Sequence, residues 1–427
     1  MPIPNLTLIT NAQLILPNGV IRRGTVIVEG SRIGDIVDTV PGSLLLNQDN
    51  VQVISGEGHY LSPGLIDLQV NGAYGVDFNS AGIKAINQVL GKLPERGITG
   101  VLLTAVSAQQ ADMLKTVNTL EEVIHHKHPA KTRPLGIHLE GPFLSTKYRG
   151  THPLSAIDAC RVEDILSLLS PHIRQVTLAP ERNRALELIE QLVRRGVRVS
   201  AGHSNADTEH FLKGVSKGVA GVTHLYNAMR PFHHRDPGIT GIALADPNLY
   251  VQLIADGFHA HPYALEMAIR SKPLEKLILA SDMMQLAGMP EKSSVTFTGQ
   301  SVSARNGCAV NAEGNLAGSC SFLDQCVRNL VAWDLASFSD AVVMASTHPA
   351  EYLGEGHQLG KLQRGYLADL VLWKEDDLSI SATWVNGELS YQNQQNFTRQ
   401  NTQEPSANNQ PTGHRASNGF SQEQLAS

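Results

Sequence analysis

Only four cysteines occur in 427 residues, Cys160, Cys308, Cys320 and Cys326, and their spacing makes no disulfide framework. Two thiols alone seldom hold a metal, so Cys320 and Cys326 are expected to be buried and reduced like the others. Charge is also sparse, at 17% of residues with a formal net charge of −6. With no basic run and no aromatic–basic alternation, a nucleic-acid surface is excluded. No apolar run approaches the roughly 18 residues of a membrane helix. The opening MPIPNLTLIT has neither a basic n-region nor a long apolar h-region. No signal peptide is therefore expected, and a soluble cytoplasmic protein is.

What remains is a chain with 42% hydrophobic residues, enough for a large core, at a length that fits one barrel plus a smaller module. Residues 4–60 read as strands between Gly, Asn and Pro breaks: LTLITNAQLIL, GTVIVEG, SRIGDIV and VQVISGEG. From about residue 63, short apolar runs alternate with helical periodicity. Eight candidate inner strands follow: IDLQV (66–70), GVLLT (100–104), LGIHL (135–139), QVTLA (175–179), VRVSA (197–201), GVTH (221–224), YVQLI (250–254) and LILAS (277–281). Helices are expected between them, one with Ile83, Ile86, Leu90 and Leu93 on one face. Another places Leu186, Ile189, Leu192 and Val193 on one face and stops at Gly196. Eight strands so interspersed predict a (β/α)8 TIM barrel rather than an open sheet. A hairpin-like insertion with Asn306-Gly307 and Glu313-Gly314 turns is expected over about 295–318, then two further helices, one over 322–335. β-forming segments return from Leu359, so both chain ends are expected to build one small β-sandwich. The expected boundaries are 1–62 and 355–392 for the sandwich, 63–354 for the barrel and 393–427 for a disordered Gln-, Asn- and Ser-rich tail.

In such a barrel, chemistry sits at the C-terminal strand ends. Glu140 follows strand 3, and Gly141-Pro142 cannot continue that strand. A carboxylate at the lip of a buried strand needs a positive partner. His203 follows strand 5, His224 strand 6 and Asp282 strand 8. Any one of these reads as an ordinary packed histidine or helix cap; four converging on one barrel mouth read as a site. One carboxylate and two imidazoles suit one divalent metal, Zn2+ best, with Fe2+, Co2+ or Mn2+ as alternatives. Three protein ligands leave a position for water, whose pKa falls to about 7 on zinc. Asp282 then suits a general base, and metal-assisted hydrolysis of an amide or related bond follows.

The chain resembles the N-acetylglucosamine-6-phosphate deacetylases of the amidohydrolase superfamily. The resemblance rests on LSPGLIDLQVNGAYGVDFN (61–79), GIHLEGPFLS (136–145), LAPE (178–181), SAGHSNA (200–206), THLYNAM (223–229), DPGITG (236–241), IADGFHAHP (254–262), and SD (281–282) with AG (287–288). It spans roughly residues 5–390 and implies the same barrel and two-ended sandwich. It implies Glu140, His203 and His224 as metal ligands, Asp282 as catalytic acid/base, and His152 polarising the acetyl carbonyl, with Thr151 beside it in RGTHP. It implies sugar-phosphate contacts at Asn227, Ala228 and His259, and a backbone loop at Leu316, Ala317 and Gly318. Arg235 matches an arginine that binds phosphate in the neighbouring subunit, which implies a homodimer. Many superfamily members carry His-x-His in the first strand; here Gln69 and Asn71 stand there, which implies one metal per subunit and leaves Gln69 among the substrate-binding candidates. A departure follows Asp282, where Met283, Met284 and Gln285 replace small residues and are expected to reshape the acetyl or sugar pocket.

The implied reaction is hydrolysis of N-acetyl-D-glucosamine 6-phosphate to D-glucosamine 6-phosphate and acetate, with an amino-sugar phosphate as the small-molecule partner. The galactosamine epimer or another N-acyl sugar phosphate is the alternative within enzymes. A catalytically silent sensor of amino-sugar phosphates is the alternative outside them, opposed by an intact metal triad with its Asp. A cyclic-amide hydrolase calls for two metals and a bridging carboxylated lysine, and no lysine stands at a suitable strand end.

Overall fold

All eight apolar runs become parallel strands: β1 (Leu65–Val70), β2 (Ile98–Val106), β3 (Arg133–Glu140), β4 (Ile173–Leu178), β5 (Arg198–Ala201), β6 (Val219–Val222), β7 (Tyr250–Leu253) and β8 (Leu277–Leu279). The structure is a computed structural model and describes residues 6–39, 51–126 and 128–393; the tail expected from 393 onward lies outside them after its first residue. The strands pair in chain order. The ring closes where Val70 bridges Met283 in parallel and the Asn71 amide donates to the Met283 carbonyl (2.8 Å). Every residue of β1 and β2 is buried, polar Asp67, Gln69, Thr99 and Thr104 included, as befits parallel strands covered on both faces. Parallel neighbours need crossovers, and helices Ile83–Lys92, Gln110–His125, the short pair Leu154–Ala159 and Val162–Ser167, Ala185–Arg194, Thr208–Lys217, Gly238–Ala245 and Pro262–Ser271 supply the seven of them.

The first helix buries Ile86, Val89 and Leu90, with Leu93 buried just beyond its end. In Ala185–Arg194 the buried stripe is Ala185, Leu188, Ile189 and Leu192, while Val193 is exposed, so the expected face is rotated. Gly196 ends this turn at φ +76°, a conformation that costs glycine nothing. After β8 comes a four-stranded antiparallel sheet, Ser294–Phe297, Gln300–Arg305, Cys308–Asn311 and Leu316–Ser319. Both residues of Asn306-Gly307 have positive φ (+53° and +83°), as a tight two-residue hairpin requires. Thr298-Gly299 turns the same way. Three helices follow rather than two: Leu323–Ala332, Phe338–Met344 and Thr347–Tyr352. No helix among the described residues is long and apolar enough to cross a membrane.

Both chain ends share one eight-stranded sheet, joined where His59–Pro63 pairs with Leu370–Lys374. Leu6–Ile15 pairs with Val51–Ser55 along its first half and with His59–Pro63 beyond it. Between them a bulge at Ile9–Ala12, with Asn11 at φ +59°, bends the strand. The turns at Gly30 and Gly387 meet so closely that a Cβ on Gly387 has no room. Cys160, Cys308 and Cys326 are buried and Cys320 half-buried, all as free thiols.

One buried carboxylate sits at the β1–β8 seam. Asp67 Oδ1 accepts from the Ser281 amide (3.1 Å) and from the Gln69 amide (3.3 Å), while Oδ2 has no partner. Burial pushes its pKa up to about 6, and the hydrogen bonds from Ser281 and Gln69 offset only part of that. Unfolded Asp titrates near about 3.9, so the folded chain holds this proton more tightly, and ionising it opposes folding. Stability is therefore expected to fall as pH rises from about 4 to about 6 and to stay lowered above, by about 3 kcal/mol. Asn at this position keeps the Oδ1 acceptor. Denaturation midpoints of wild type and Asp67→Asn should diverge in the variant's favour across that window; a pH-independent difference would contradict this.

Candidate active site

Three of the four strand-end residues have the same backbone conformation. His203 (φ +46°), His224 (φ +31°) and Asp282 (φ +51°) are all left-handed, which non-glycine residues seldom adopt and which concentrates at functional sites. Each follows its strand by two or three residues, and the left-handed turn swings its side chain over the barrel mouth. Glu140 needs no such turn, being the last residue of β3. The chain leaves it through Gly141 (φ +80°), where a Cβ would strike Ser107 and Leu144.

The side chains meet. His224 Nε2 lies 3.0 Å and His203 Nε2 3.4 Å from Glu140 Oε1, and the two Nε2 atoms are 3.2 Å apart. All three residues are buried and each offers one ligand atom within 4.8 Å of the others. The Tyr148 carbonyl accepts from His203 Nδ1 (3.0 Å), which fixes the proton there and turns the Nε2 lone pair inward. When these nitrogens carry protons instead of a cation, their hydrogen bonds and charge outweigh the raising effect of burial and hold the Glu140 carboxyl well below the usual range. One carboxylate oxygen and two inward imidazole nitrogens, close together and shut from bulk water, fit a divalent cation.

Polar neighbours hold this cluster in place. Gln69 Nε2 donates to Glu140 Oε1 (2.8 Å), and Asn71 Nδ2 donates to Asp282 Oδ1 (2.8 Å). Both amides thus direct their NH2 groups at carboxylates. Burial first, and the Glu140 charge second, push the Asp282 carboxyl up to about 7. His152 Nδ1 pairs with Ser107 Oγ (2.7 Å), and its Nε2 is 3.9 Å from Glu140 Oε2. Burial, then the charge of His203, hold His152 neutral, with a pKa of about 3. His259 Nδ1 donates to Asp256 Oδ2 (2.7 Å), which also accepts from Ser319 Oγ (3.1 Å). His138, two residues before Glu140 and so on the same face of β3, starts a buried chain through Thr177, Thr223 and Ser200, each link 2.7 Å.

The amidohydrolase family matches residues 60–390, most of the chain and all eight barrel strands. The chain belongs to the amidohydrolase family. It is similar to the N-acetylglucosamine-6-phosphate deacetylase of Vibrio furnissii, 37% identical over 336 residues that cover 78% of this chain and 83% of that one. The N-acetylgalactosamine-6-phosphate deacetylase of Escherichia coli O157:H7 is 32% identical, covering 80% of this chain and 90% of the relative. Among solved structures, N-acetylglucosamine-6-phosphate deacetylase from Pasteurella multocida superposes with a TM-score of 0.83 at 30% identity, covering 91% of this chain and all of that one.

In this amidohydrolase one cavity of about 570 Å³ lies over the cluster. It brings together Glu140, His203, His224, Asp282, Thr151, His152, Asn227, Ala228, His259, Leu316 and Gly318. Three expected residues do not line it. Gln69 acts behind Glu140, Ala317 is buried in the insertion, and Arg235 stands exposed on its loop beside His234. The expectation for Met283, Met284 and Gln285 is corrected, because none of them reaches the pocket. Met283 closes the barrel, Met284 packs among Val106, Phe297 and Ala317, and Gln285 Nε2 donates to the Thr296 carbonyl (2.8 Å). The bulk fastens the insertion to the barrel, and its edge supplies Phe297 and Leu316 to the cavity wall.

Sequence reasoning missed Ser107, Asp256, Lys147 and Arg149. Asp256 was visible as the acid three residues before His259. Ser107 carried no signal, since a serine after a strand is commonplace, and the two cations look like solvated loop residues.

Proposed function

We propose that this amidohydrolase hydrolyses the acetamide of N-acetyl-D-glucosamine 6-phosphate, giving D-glucosamine 6-phosphate and acetate. The observation that carries the reading is the buried Glu140–His203–His224 cluster opening, with Asp282, into one cavity. The three residues would hold one divalent metal, Zn2+ by ligand preference, with Fe2+, Co2+ or Mn2+ able to take its place. When bound, the metal supplies Lewis acidity and makes water ionisable near neutral pH. Asp282, ionising near about 7, takes the proton from water and returns it to the nitrogen as the carbon–nitrogen bond breaks. Neutral His152 donates from Nε2 to the oxygen that gains charge. That role requires Ser107 to donate to His152 Nδ1, which the 2.7 Å contact allows. His259, with its Nδ1 proton committed to Asp256, presents Nε2 as an acceptor for a sugar hydroxyl. Asn227, Ala228, Thr151, Leu316 and Gly318 complete the wall around the sugar.

Arg235 is read as reaching a neighbouring copy of the chain, since it is exposed and outside its own pocket. A homodimer in the cytoplasm is the corresponding assembly and place. The test is acetate release by the zinc-loaded protein, with kcat/KM compared between the glucosamine and galactosamine substrates. Faster turnover of the galactosamine epimer, the substrate that names the Escherichia coli O157:H7 relative, would reverse the preference. Arg235→Ala should weaken phosphorylated substrate only; unchanged affinity removes its role across the subunits.

A further inference from the structure

We infer that Lys147 is a specificity-determining residue of this site, a cation that binds the phosphate of the substrate from within the same subunit. This rests on the sugar-phosphate reading above. The metal would offset Glu140, but Asp282 also stands on the cavity wall, and a phosphate dianion at the far end of the sugar gains from a cation of its own. Among the Lys and Arg side chains of the described residues, only Lys147 and Arg149 line the cavity.

The two are not equivalent. Arg149 is half-buried, and its Nη1 donates to the His152 carbonyl (2.8 Å), which pins the loop. Lys147 is exposed and has no carboxylate partner among the described residues. Its ammonium lies 5.3 Å from the centroid of the Tyr148 ring, a contact that restrains it without neutralising it. The backbone then places this free charge. The Tyr148 carbonyl is held by His203 Nδ1 (3.0 Å), so Lys147 is one residue from an anchor on the metal cluster. Gly150 (φ +57°) lets the loop lie against the same imidazole, where a Cβ would come within 3.2 Å of Cε1. A loop tied at Tyr148, Arg149 and Gly150 thus holds an unpaired cation on the wall of the pocket. Arg235 is outside that wall, so Lys147 supplies charge that does not depend on a second subunit.

The test uses zinc-loaded wild type, Lys147→Met and Lys147→Arg. Turnover is measured on N-acetylglucosamine 6-phosphate and on unphosphorylated N-acetylglucosamine, and glucosamine 6-phosphate binding by calorimetry. Lys147→Met should raise KM for the phosphorylated sugar about tenfold or more, the scale of one charge-assisted hydrogen bond. Its kcat, and its kcat/KM on the unphosphorylated sugar, should stay at wild-type values, and Lys147→Arg should restore KM. The KM of wild type should rise with salt more steeply than that of Lys147→Met. An unchanged KM in Lys147→Met, with wild type active, overturns the role of Lys147 and leaves the deacetylase reading standing. Equal losses on both sugars make the residue structural and overturn it too. If wild type neither releases acetate nor binds glucosamine 6-phosphate, both inferences fall together.

Discussion

Asp282→Asn is expected to cut kcat by about 10²–10⁴-fold, the usual contribution of a placed acid/base, with affinity for the sugar phosphate nearly unchanged. The substitution is unusually clean here. Asn tolerates the left-handed φ of +51° as well as Asp does, whereas Ala would add backbone strain. Asn71 Nδ2 can still donate to Oδ1, so the side chain keeps its orientation. The Ser319 amide still donates to the carbonyl of residue 282 (2.8 Å), so the insertion stays attached. What disappears is a group that gains and loses a proton near neutral pH, because burial and the Glu140 charge raise its pKa to about 7. Steady-state kinetics on the zinc-loaded variant decide the matter. A kcat close to wild type would end the acid/base assignment, and a raised KM with intact kcat would move Asp282 to substrate binding.

The barrel was legible because parallel strands are buried on both faces, and burial writes itself as short, mostly apolar runs rich in Val, Ile and Leu. Strand ends were harder. The eighth run read as LILAS, yet β8 stops at Leu279, because Ser281 and Asp282 turn away to complete the seam with Asp67 and the insertion. Helix Ala185–Arg194 was found, but its face was rotated, since Leu186 and Val193 are as apolar as the residues that are in fact buried. Periodicity finds a stripe only where the opposite face is polar. The Asn306-Gly307 hairpin announced itself, while Thr298-Gly299 makes the same turn with a residue that gives no such signal.

Within the site, residues whose chemistry is rare at strand ends were visible, and residues that act through ordinary loops were not. Glu140, His203, His224 and Asp282 stood out because buried charge and imidazole need an explanation. Lys147 did not, because an exposed lysine is the commonest thing a loop can hold; only its carbonyl neighbour on His203 gives it an address. Met283 and Met284 were visible for the wrong reason. Adjacent in sequence to Asp282, they point into the β1–β8 seam and the insertion core, since successive residues leave a strand-like backbone on opposite sides.

Glu140→Gln is expected to abolish stoichiometric zinc binding and activity together, while the fold persists. The two side chains have nearly the same shape, so packing is not at issue; charge and donor placement are. Gln69 Nε2 would still donate to Oε1 of the new side chain, as it does to Glu140 now (2.8 Å). That puts the new NH2 at the Oε2 position, toward His152 Nε2 (3.9 Å from Oε2 now), and leaves only a neutral amide oxygen beside His203 and His224 where a cation needs a carboxylate charge. The loss should therefore exceed the roughly 10–100-fold that removing an outer partner of a metal ligand costs. Gln69→Ala should fall inside that lesser range, because it frees Glu140 without altering its charge. Metal content after dialysis and calorimetric titration of zinc into the stripped proteins separate the two. Zinc held by three residues that only the fold brings together would bind the folded state alone, so a chelator should lower the melting temperature of zinc-loaded wild type and leave Glu140→Gln unmoved. Retention of one zinc per chain in Glu140→Gln would remove Glu140 from the ligand set and move the site elsewhere in the mouth. Loss of zinc with a melting temperature indifferent to chelator in both proteins would leave Glu140 a ligand but make the metal irrelevant to stability.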